Sequence, residues 1–452
     1  MASEKSSLKS TIRVSITNFL DSGSIVAGAS GLTLWTQHFG LSSFQVGLLG
    51  ALSANAFGAA LGALIGGPLS DKFGRKLIYT YDMLVYMLGT ILVMFAGSFP
   101  MLLAGFLITG LAVGAGVPAS WTYISETSQD DNRAKNIGVS QFAWSLGPAV
   151  IFILGTLLAP IGLLGNRILF GLLTVIAFIA WLLQRGLGES KAWQDQKAYE
   201  KSTGEKPHPY RTLFSNKTSL KWLFFLVGVY MFWNLVAGAM GFFMPYVYET
   251  AGGLSNQEAN MLQAVLWILT AIATYFGFAK YGDKANHRIF FFVGAAMAAA
   301  SWIVLTYAGM AQSWSLWAFV ALWGISAGIG AQAWYALWAT ELFPTQFRAG
   351  SQGVMFFIVR ASAGVWSIIF PAILNSLGFT VAGTFMVGLL IVSLVIGTIW
   401  TPKTRGKSLE EITREQYGDK FLTDDEKSKA DRDTAAKGAS SSVAQEMMNP
   451  DK

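Results

Sequence analysis

The sequence predicts an all-α membrane protein with twelve transmembrane helices arranged as two six-helix bundles. Its 452 residues are 53% hydrophobic and only 13% charged, whereas a soluble domain carries roughly a quarter charged residues. Twelve stretches are mostly apolar and roughly 20 residues long, which is the length that a helix needs to cross the hydrocarbon core of a bilayer. The longest polar segment lies between the sixth and seventh stretches and divides them into two sets of six.

These stretches set the expected domain boundaries. They span 12–35, 45–66, 77–97, 101–123, 136–158 and 167–187 in the first half, and 221–248, 257–279, 289–308, 314–338, 350–374 and 380–400 in the second. We therefore expect an N-terminal bundle over 1–187, a cytoplasmic linker over 188–220 and a C-terminal bundle over 221–412. Residues 413–452 turn to Asp, Lys, Ser and Ala, which predicts a disordered cytoplasmic tail.

The basic residues predict the orientation in the membrane. Lysines and arginines cluster in the even-numbered connections, while the odd-numbered ones hold little beyond Arg167. Because cytoplasmic loops are enriched in these residues, both termini are expected in the cytoplasm. The N-terminus lacks the layout of a cleavable signal peptide, so the first apolar stretch is expected to remain as a helix. The net charge of +6 thus reflects topology, and no nucleic acid partner is expected.

The connection between the second and third helices contains a patterned motif, GPLSDKFGRK, at residues 67–76. Its glycines permit a tight turn, Asp71 can accept hydrogen bonds from helix N-termini, and Arg75 can reach a carboxylate on a neighbouring helix. Such a carboxylate, Glu126, closes the fourth helix in SETSQDDNRAK, followed by Arg133. The motif predicts a cytoplasmic latch; the alternative interpretation is an ordinary charged turn.

The second half repeats part of this pattern. Its corresponding loop, KYGDKANHR, contains Asp283 and Arg288, and this degenerate copy supports an internal duplication. The candidate gate residues are Gly67, Asp71, Gly74, Arg75, Glu126, Arg133, Asp283, Arg288, Glu341 and Arg348.

Several of these segments resemble one family. GPLSDKFGRK resembles the signature loop of the major facilitator superfamily, and TELFPTQFRAGS together with PKTRGKSLEEI resembles its sugar porter branch. Within that branch, LDSGSIVAGASGL and GLLGALSANAFGAALGALIGG look most like bacterial inositol transporters. The resemblance covers residues 12–412 and implies a monomeric carrier of the bacterial inner membrane that moves a small polyol or sugar, myo-inositol first, by alternating access. It implies no cofactor, with protons as the coupling ion.

Two positions depart from the sugar porter pattern. The seventh helix reads FWNLVAG at 232–238, where sugar porters usually have a Gln-Gln-x-x-Gly-x-Asn run. In the fourth helix, Phe106 stands where many proton-coupled members have an Arg that pairs with the first-helix Asp. Both departures disfavour a plain hexose carrier, and the second leaves Asp21 without its expected partner.

Two charged residues stand out at depth inside predicted helices. Asp21 lies in the first helix, where a carboxylate is expensive to ionise, so that proton uptake can be coupled to closure of a cavity; the alternative is a cap near the start of the helix. Arg360 lies about ten residues into the eleventh helix, or roughly 15 Å deep. It can replace the missing fourth-helix Arg or bind an anionic substrate group, unless it is a structural or snorkelling side chain.

A polyol needs amide and hydroxyl partners together with aromatic faces. The chain offers such residues at mid-helix depth, although membrane tryptophans are also common as interfacial anchors. The candidate substrate-binding residues are Gln141, Trp144, Asn234, Gln263, Trp267, Gln332, Trp334, Tyr335, Trp338 and Arg360.

The sequence leaves three kinds of transport open. Asp21 favours a proton symporter, Phe106 favours a passive sugar or polyol facilitator, and Arg360 is the best support for an organic acid:proton symporter. The three histidines are far apart and there are no cysteines, so neither a metal site nor an enzyme active site is expected.

Overall fold

The computed structural model describes residues 2–128, 133–204 and 209–432. The α-helices in these ranges are α1 Ala2–Phe39, α2 Ser43–Leu52, α3 Phe57–Phe73, α4 Arg75–Met94, α5 Phe99–Thr127, α6 Arg133–Leu158, α7 Leu163–Gln184, α8 Lys191–Thr203, α9 Pro209–Ser215, α10 Lys217–Thr250, α11 Asn256–Ile272, α12 His287–Ala308, α13 Ser313–Ile329, α14 Ala331–Glu341, α15 Arg348–Leu377, α16 Phe379–Ile399 and α17 Leu409–Tyr417. A π-helical turn, Ala273–Ala279, continues α11.

In the described part of the chain, eleven helical segments are long and apolar enough to cross a membrane. They correspond to the second to twelfth predicted stretches. α1 is not among them, although it is 38 residues long, because Ser, Thr and Asn interrupt its apolar residues. The fold is therefore all-helical and built for a bilayer.

Two of the predicted helices are broken near their middle. The second is interrupted between α2 and α3, where the Ser53 hydroxyl donates to the Gly50 carbonyl at 2.8 Å. The tenth is interrupted between α13 and α14 at Gly330, where the backbones of two helices come close: a Cβ on Gly294 would lie 2.8 Å from the Gly330 Cα. Irregular backbone at membrane depth is tolerated only inside the protein or along a cavity. Both breaks are therefore expected to lie in the protein interior.

The helices pack within and between the two halves of the sequence. α1 packs on α6 and α7, and α10 packs on α15 and α16. Contacts between the halves join α3 to α15, α6 to α11 and α1 to α10. Small residues permit this close approach: a Cβ on Gly67 would lie 2.6 Å from the Ala349 carbonyl oxygen. A central site thus forms where α1, α6, α10, α11 and α15 meet.

The tail differs from the predicted disorder. α17 and a further helix at 424–432 are ordered, and the Tyr417 hydroxyl donates to the Leu342 carbonyl at 3.0 Å. The rings of Tyr417 and Phe421 both pack on Phe347. These aromatic anchors outweigh the polar composition and hold 413–432 against the bundle. Residues 433–452 lie outside the described part.

Candidate functional site

Two small adjoining cavities lie between the two halves of the sequence. Their volumes are about 20 and 10 Å³, which is space for about one water molecule. Trp144 of α6, Trp267 of α11 and Gln332 of α14 line both of them. We call the two together the central cavity.

Asp21 links the two halves at this cavity. Its Oδ2 accepts a 2.8 Å hydrogen bond from the Trp144 indole nitrogen and lies 3.9 Å from Nη2 of Arg360 on α15. The carboxylate and the guanidinium are almost fully buried, with 1% and 3% of their side chains exposed. The other carboxylate oxygen, Oδ1, has no hydrogen-bond partner among the described residues. Asp21 lies mid-way along α1, so it is not a cap at the start of that helix.

Arg360 also binds the break between α2 and α3. Its Nη1 donates to the backbone carbonyl of Asn55 at 3.1 Å and to the Asn55 amide oxygen at 3.4 Å. The Asn55 amide nitrogen in turn donates to the Gly238 carbonyl of α10 at 3.5 Å. Asn55 is not among the candidates that the sequence offered. The available signal was a lone amide within an otherwise apolar stretch, at the SAN tripeptide of 53–55.

A chain of amides crosses the cavity on its other side. Gln332 donates to the Gln141 side-chain oxygen of α6 at 3.1 Å, and the Tyr230 hydroxyl of α10 lies 3.4 Å from the Gln332 oxygen. The Trp144 and Trp267 rings meet edge to face, with centroids 5.4 Å apart. Amides and indole rings from both halves therefore surround the same space.

Several polar atoms of the central cavity lack hydrogen-bond partners within the described ranges. They are the Asn234 amide oxygen, the Gln141 amide nitrogen and the Trp267 indole nitrogen. Buried polar groups are rarely left unsatisfied, and one acceptor beside two donors is the complement of a molecule rich in hydroxyl groups.

Trp334 and Trp338 do not reach the central cavity. The two tryptophans share a face of α14, because residues four apart on a helix do so. Gln332 is two positions before Trp334, which is about half a helical turn, so it lies on the opposite face. The Trp334 ring packs against His287, with centroids 4.6 Å apart, and the Trp338 ring packs against Phe291. Both tryptophans belong to the interior of the second half.

Tyr335 and Gln263 are each buried beside a tyrosine side chain. The Tyr335 ring stacks on Tyr230 with a centroid distance of 4.0 Å, so it supports the residue that approaches Gln332. Gln263 is fully buried on α11 and lies beside the Tyr248 hydroxyl. Neither residue lines the central cavity.

The predicted latch residues meet at one end of the bundle. Asp71 accepts the backbone N–H groups of Gly350 at 2.5 Å and Ala349 at 3.3 Å, in the first turn of α15. Arg75 lies 3.3 Å from Asp71 and 2.8 Å from Glu126. Since α15 belongs to the second half, Asp71 joins the halves directly.

Glu126 forms ion pairs with two arginines. Beside Arg75, it pairs with Arg348 of α15 at 3.2 Å, and all three side chains are almost fully buried. Gly74 adopts φ +100°, which an L side chain rarely adopts. We use the term latch for Asp71, Arg75, Glu126 and Arg348.

A second cluster joins the halves beside the latch. Asp283 accepts the backbone N–H groups of Ala134 at 2.9 Å and Lys135 at 3.0 Å, in the first turn of α6. Arg133 pairs with Glu341 at 3.1 Å. Arg288 is exposed and forms no ion pair with a described residue.

The comparisons with known proteins identify the family. The model described as Major Facilitator Superfamily matches residues 14–367. This chain belongs to the Major Facilitator Superfamily. It is accordingly a multi-pass membrane transporter and not an enzyme, as the sequence predicts.

The proteins similar to this chain include two carriers. The chain is 47% identical over 421 residues to the minor myo-inositol transporter IolF of Bacillus subtilis, covering 91% of this chain and 94% of that protein. It is 26% identical over 438 residues to the arabinose-proton symporter of Escherichia coli, covering 87% and 89%. Among solved structures, the proton:xylose symporter XylE bound to 6-bromo-6-deoxy-D-glucose has a TM-score of 0.79 at 16% identity, covering 91% of this chain and 100% of that one.

Proposed function

We propose that this superfamily member imports a small polyol, with myo-inositol the leading candidate, by alternating access with proton symport through Asp21. The observation that carries the proposal is the position of the Asp21 carboxylate between Trp144 of its own half and Arg360 of the other. The identity of 47% to a myo-inositol transporter supports a polyol substrate. The similarity to an arabinose-proton symporter supports protons as the coupling ion.

With α1 included, the number of spanning helices is twelve. They form two six-helix bundles over 1–187 and 221–412, which are joined by the linker 188–220. The latch, the linker, the tail 413–452 and both termini face the cytoplasm of a bacterial inner membrane, and the monomer is the working unit. The basic connections favour this orientation, and the contacts of Asp71 and Asp283 with the opposite halves favour a duplicated fold.

Coupling follows from the fact that Asp21 and Arg360 lie on different halves. When the halves rock, the two charges separate inside the membrane. An unpaired buried charge costs several kcal/mol, and a proton on Asp21 removes that cost for the carboxylate. Arg360 thereby takes the place of the fourth-helix Arg as the cation that faces Asp21. The fourth-helix position itself holds Phe106, whose ring packs against α1: a Cβ on Gly28 would lie 2.6 Å from that ring.

Substrate recognition is assigned to the residues that line the central cavity. Gln141, Gln332 and Asn234 supply amide donors and acceptors for hydroxyl groups, and Trp144 and Trp267 supply aromatic faces for the C–H surface of the ring. Arg360 acts through Asp21 and Asn55. We assign Gln263, Trp334, Tyr335 and Trp338 to the framework around the cavity.

The two alternative functions, an organic acid:proton symporter and a passive facilitator, make different demands on the Asp21–Arg360 pair. An organic acid carrier needs a cation that is free to bind the substrate, whereas Arg360 already faces Asp21. A passive facilitator needs the pair only as a structural contact. The Asp21–Arg360 pair therefore disfavours an organic acid as the substrate. A transport experiment distinguishes a passive facilitator from a proton symporter.

The test is uptake of radiolabelled myo-inositol into proteoliposomes, with and without an inward proton gradient. Wild type is expected to accumulate inositol above equilibrium, and Asp21→Asn is expected to equilibrate it without accumulation. Asp82→Asn is the control, since Asp82 is a buried carboxylate of α4 that, unlike Asp21, forms no ion pair with a cation of the other half within the described residues. Uptake by wild type that ignores the gradient would leave a facilitator, and no uptake would refute inositol as the substrate.

A further inference from the structure

A much larger groove opens at the side of the bundle. It lies between α1 and α6 of the first half and the π-helical turn of the second, and its volume is about 880 Å³. Pockets for small molecules measure roughly 300–1,000 Å³. It shares no lining residue with the central cavity. We call it the lateral groove.

The walls of the lateral groove are apolar over most of their length. α6 contributes Val139, Phe142, Ala143 and Leu146, whose spacing places them on one helix face. α1 adds Ile12, Ile16 and Phe19 from a matching face, and the opposite wall holds Tyr275 and Phe276, which are 48% and 60% exposed. Exposed rings on a membrane helix contact lipid, so the groove is open towards the acyl chains.

One end of the lateral groove is basic. Lys135, Lys280 and Lys284 line it together with Asp283, a formal charge of +2 from three lysines and one carboxylate. Asp283 is occupied by the N-terminus of α6. Lys280 and Lys284 are exposed and form no ion pair with any described residue. Lys280 directly follows a membrane-crossing segment that ends at Ala279, and Lys284 lies about one turn later. Both lysines are therefore at the level of the lipid headgroups.

We propose that the lateral groove binds one anionic phospholipid, with its phosphate at Lys280 and Lys284 and an acyl chain along the α6 face. An apolar channel with a cationic end is complementary to this amphipathic anion. The lipid contacts α1 and α6 of one half and the π-helical turn of the other, beside the Asp283 cap. Its binding therefore stabilises the described arrangement of the halves by mass action. The proposal does not depend on which substrate is carried.

The experiment is native mass spectrometry of the detergent-purified, full-length protein with added phosphatidylglycerol or phosphatidylcholine. Wild type is expected to retain one phosphatidylglycerol molecule at least tenfold more often than phosphatidylcholine, and phosphatidylglycerol is expected to raise its Tm. Lys280→Gln/Lys284→Gln should lose both effects. Lys217→Gln/Lys221→Gln is the matched control, because these exposed lysines are also four residues apart but do not line the groove.

A second variant tests the apolar part of the site. Ala143→Trp fills the groove without changing its charge and should also abolish the retained lipid. Equal phosphatidylglycerol binding by wild type and Lys280→Gln/Lys284→Gln would overturn the proposal. So would saturation of the site by glycerol 1-phosphate as effectively as by the whole lipid, since the ligand would then be a soluble phosphate.

Discussion

Asp71 and Asp283 occupy corresponding places in the two halves, and each carboxylate caps the first turn of a helix in the opposite half. Asp71 accepts two backbone N–H groups of α15, and Asp283 accepts two of α6. Helix N-termini carry unsatisfied N–H groups and partial positive charge, so both are charge-assisted caps. The two loops GPLSDKFGRK and KYGDKANHR thus clamp the halves reciprocally.

Removal of either cap should open this end of the transporter. Asp71→Ala loses a cap contribution of about 1–2 kcal/mol, which changes a two-state ratio roughly 5–30-fold. The chain has no cysteine, so maleimide labelling of an introduced Ala349→Cys reports on opening without background. Ala349 is fully buried in the closed latch. We expect its labelling to accelerate several-fold in Asp71→Ala.

Asp283→Ala should do the same for a cysteine introduced at Ala134, which is also fully buried. Asp424→Asn is the control, because the Asp424 side chain is 87% exposed and pairs only with Lys427 among the described residues. Unchanged labelling in both cap variants would show that the caps do not hold the halves together.

Glu126 should be the least replaceable latch residue. Glu126→Gln leaves the buried guanidinium groups of Arg75 and Arg348 without their shared carboxylate, and breaking a buried pair costs about 3–5 kcal/mol. We expect the Tm of the purified protein to fall by several degrees. Glu126→Gln/Arg348→Met removes one of the stranded charges, so it should be less destabilised than the sum of its single variants. Strict additivity would contradict the ion-pair account.

The sequence singled out the residues that meet in the latch, as well as Asp21 and Arg360. GPLSDKFGRK is a recognisable motif, and the carboxylate that pairs with its Arg75, Glu126, lies at the end of the second helix after it. An Asp or Arg inside an apolar stretch is conspicuous. The sequence could not predict that Asp21 meets Arg360, since the two are 339 positions apart and only helix packing brings α1 against α15.

Helix faces and helix breaks were harder to predict. The tenth helix offered Gln332, Trp334, Tyr335 and Trp338 as equals, but the break at Gly330 sets the rotation of α14 and turns only Gln332 into the central cavity. Composition also missed the tail, where Tyr417 and Phe421 supply local anchors within a polar segment.

The two faces of α14 should respond differently to substitution. Gln332→Ala removes an amide at the central cavity, and a lost hydrogen bond of about 0.5–1.5 kcal/mol should raise the KM for inositol about two- to tenfold. Trp334→Phe keeps a ring in the second half and should leave KM unchanged. Uptake kinetics in proteoliposomes measure both. A larger KM change in Trp334→Phe than in Gln332→Ala would place the substrate on the other face.

Docking of the tail should depend on pH through Glu426. This side chain lies with Glu410 and Arg348 in a polar pocket beneath the tail, and burial raises the pKa of its carboxyl group above the ordinary value of 4.5. The docked form therefore holds a proton more tightly than the undocked form. Docking is strongest below about pH 4.5 and weakens as the pH rises through the raised pKa.

Glu426→Gln should remove this dependence, because glutamine stays neutral and can still close the helix cap with Thr423. Hydrogen-exchange protection factors for 409–432 are expected to fall between pH 4.5 and 7.5 in wild type and to stay level in the variant, which should be better protected at pH 7.5. Asp424→Asn, at an exposed acid of the same helical turn, should behave like wild type. If Glu426→Gln lost protection with rising pH as steeply as wild type, another group would have to control the docking of the tail.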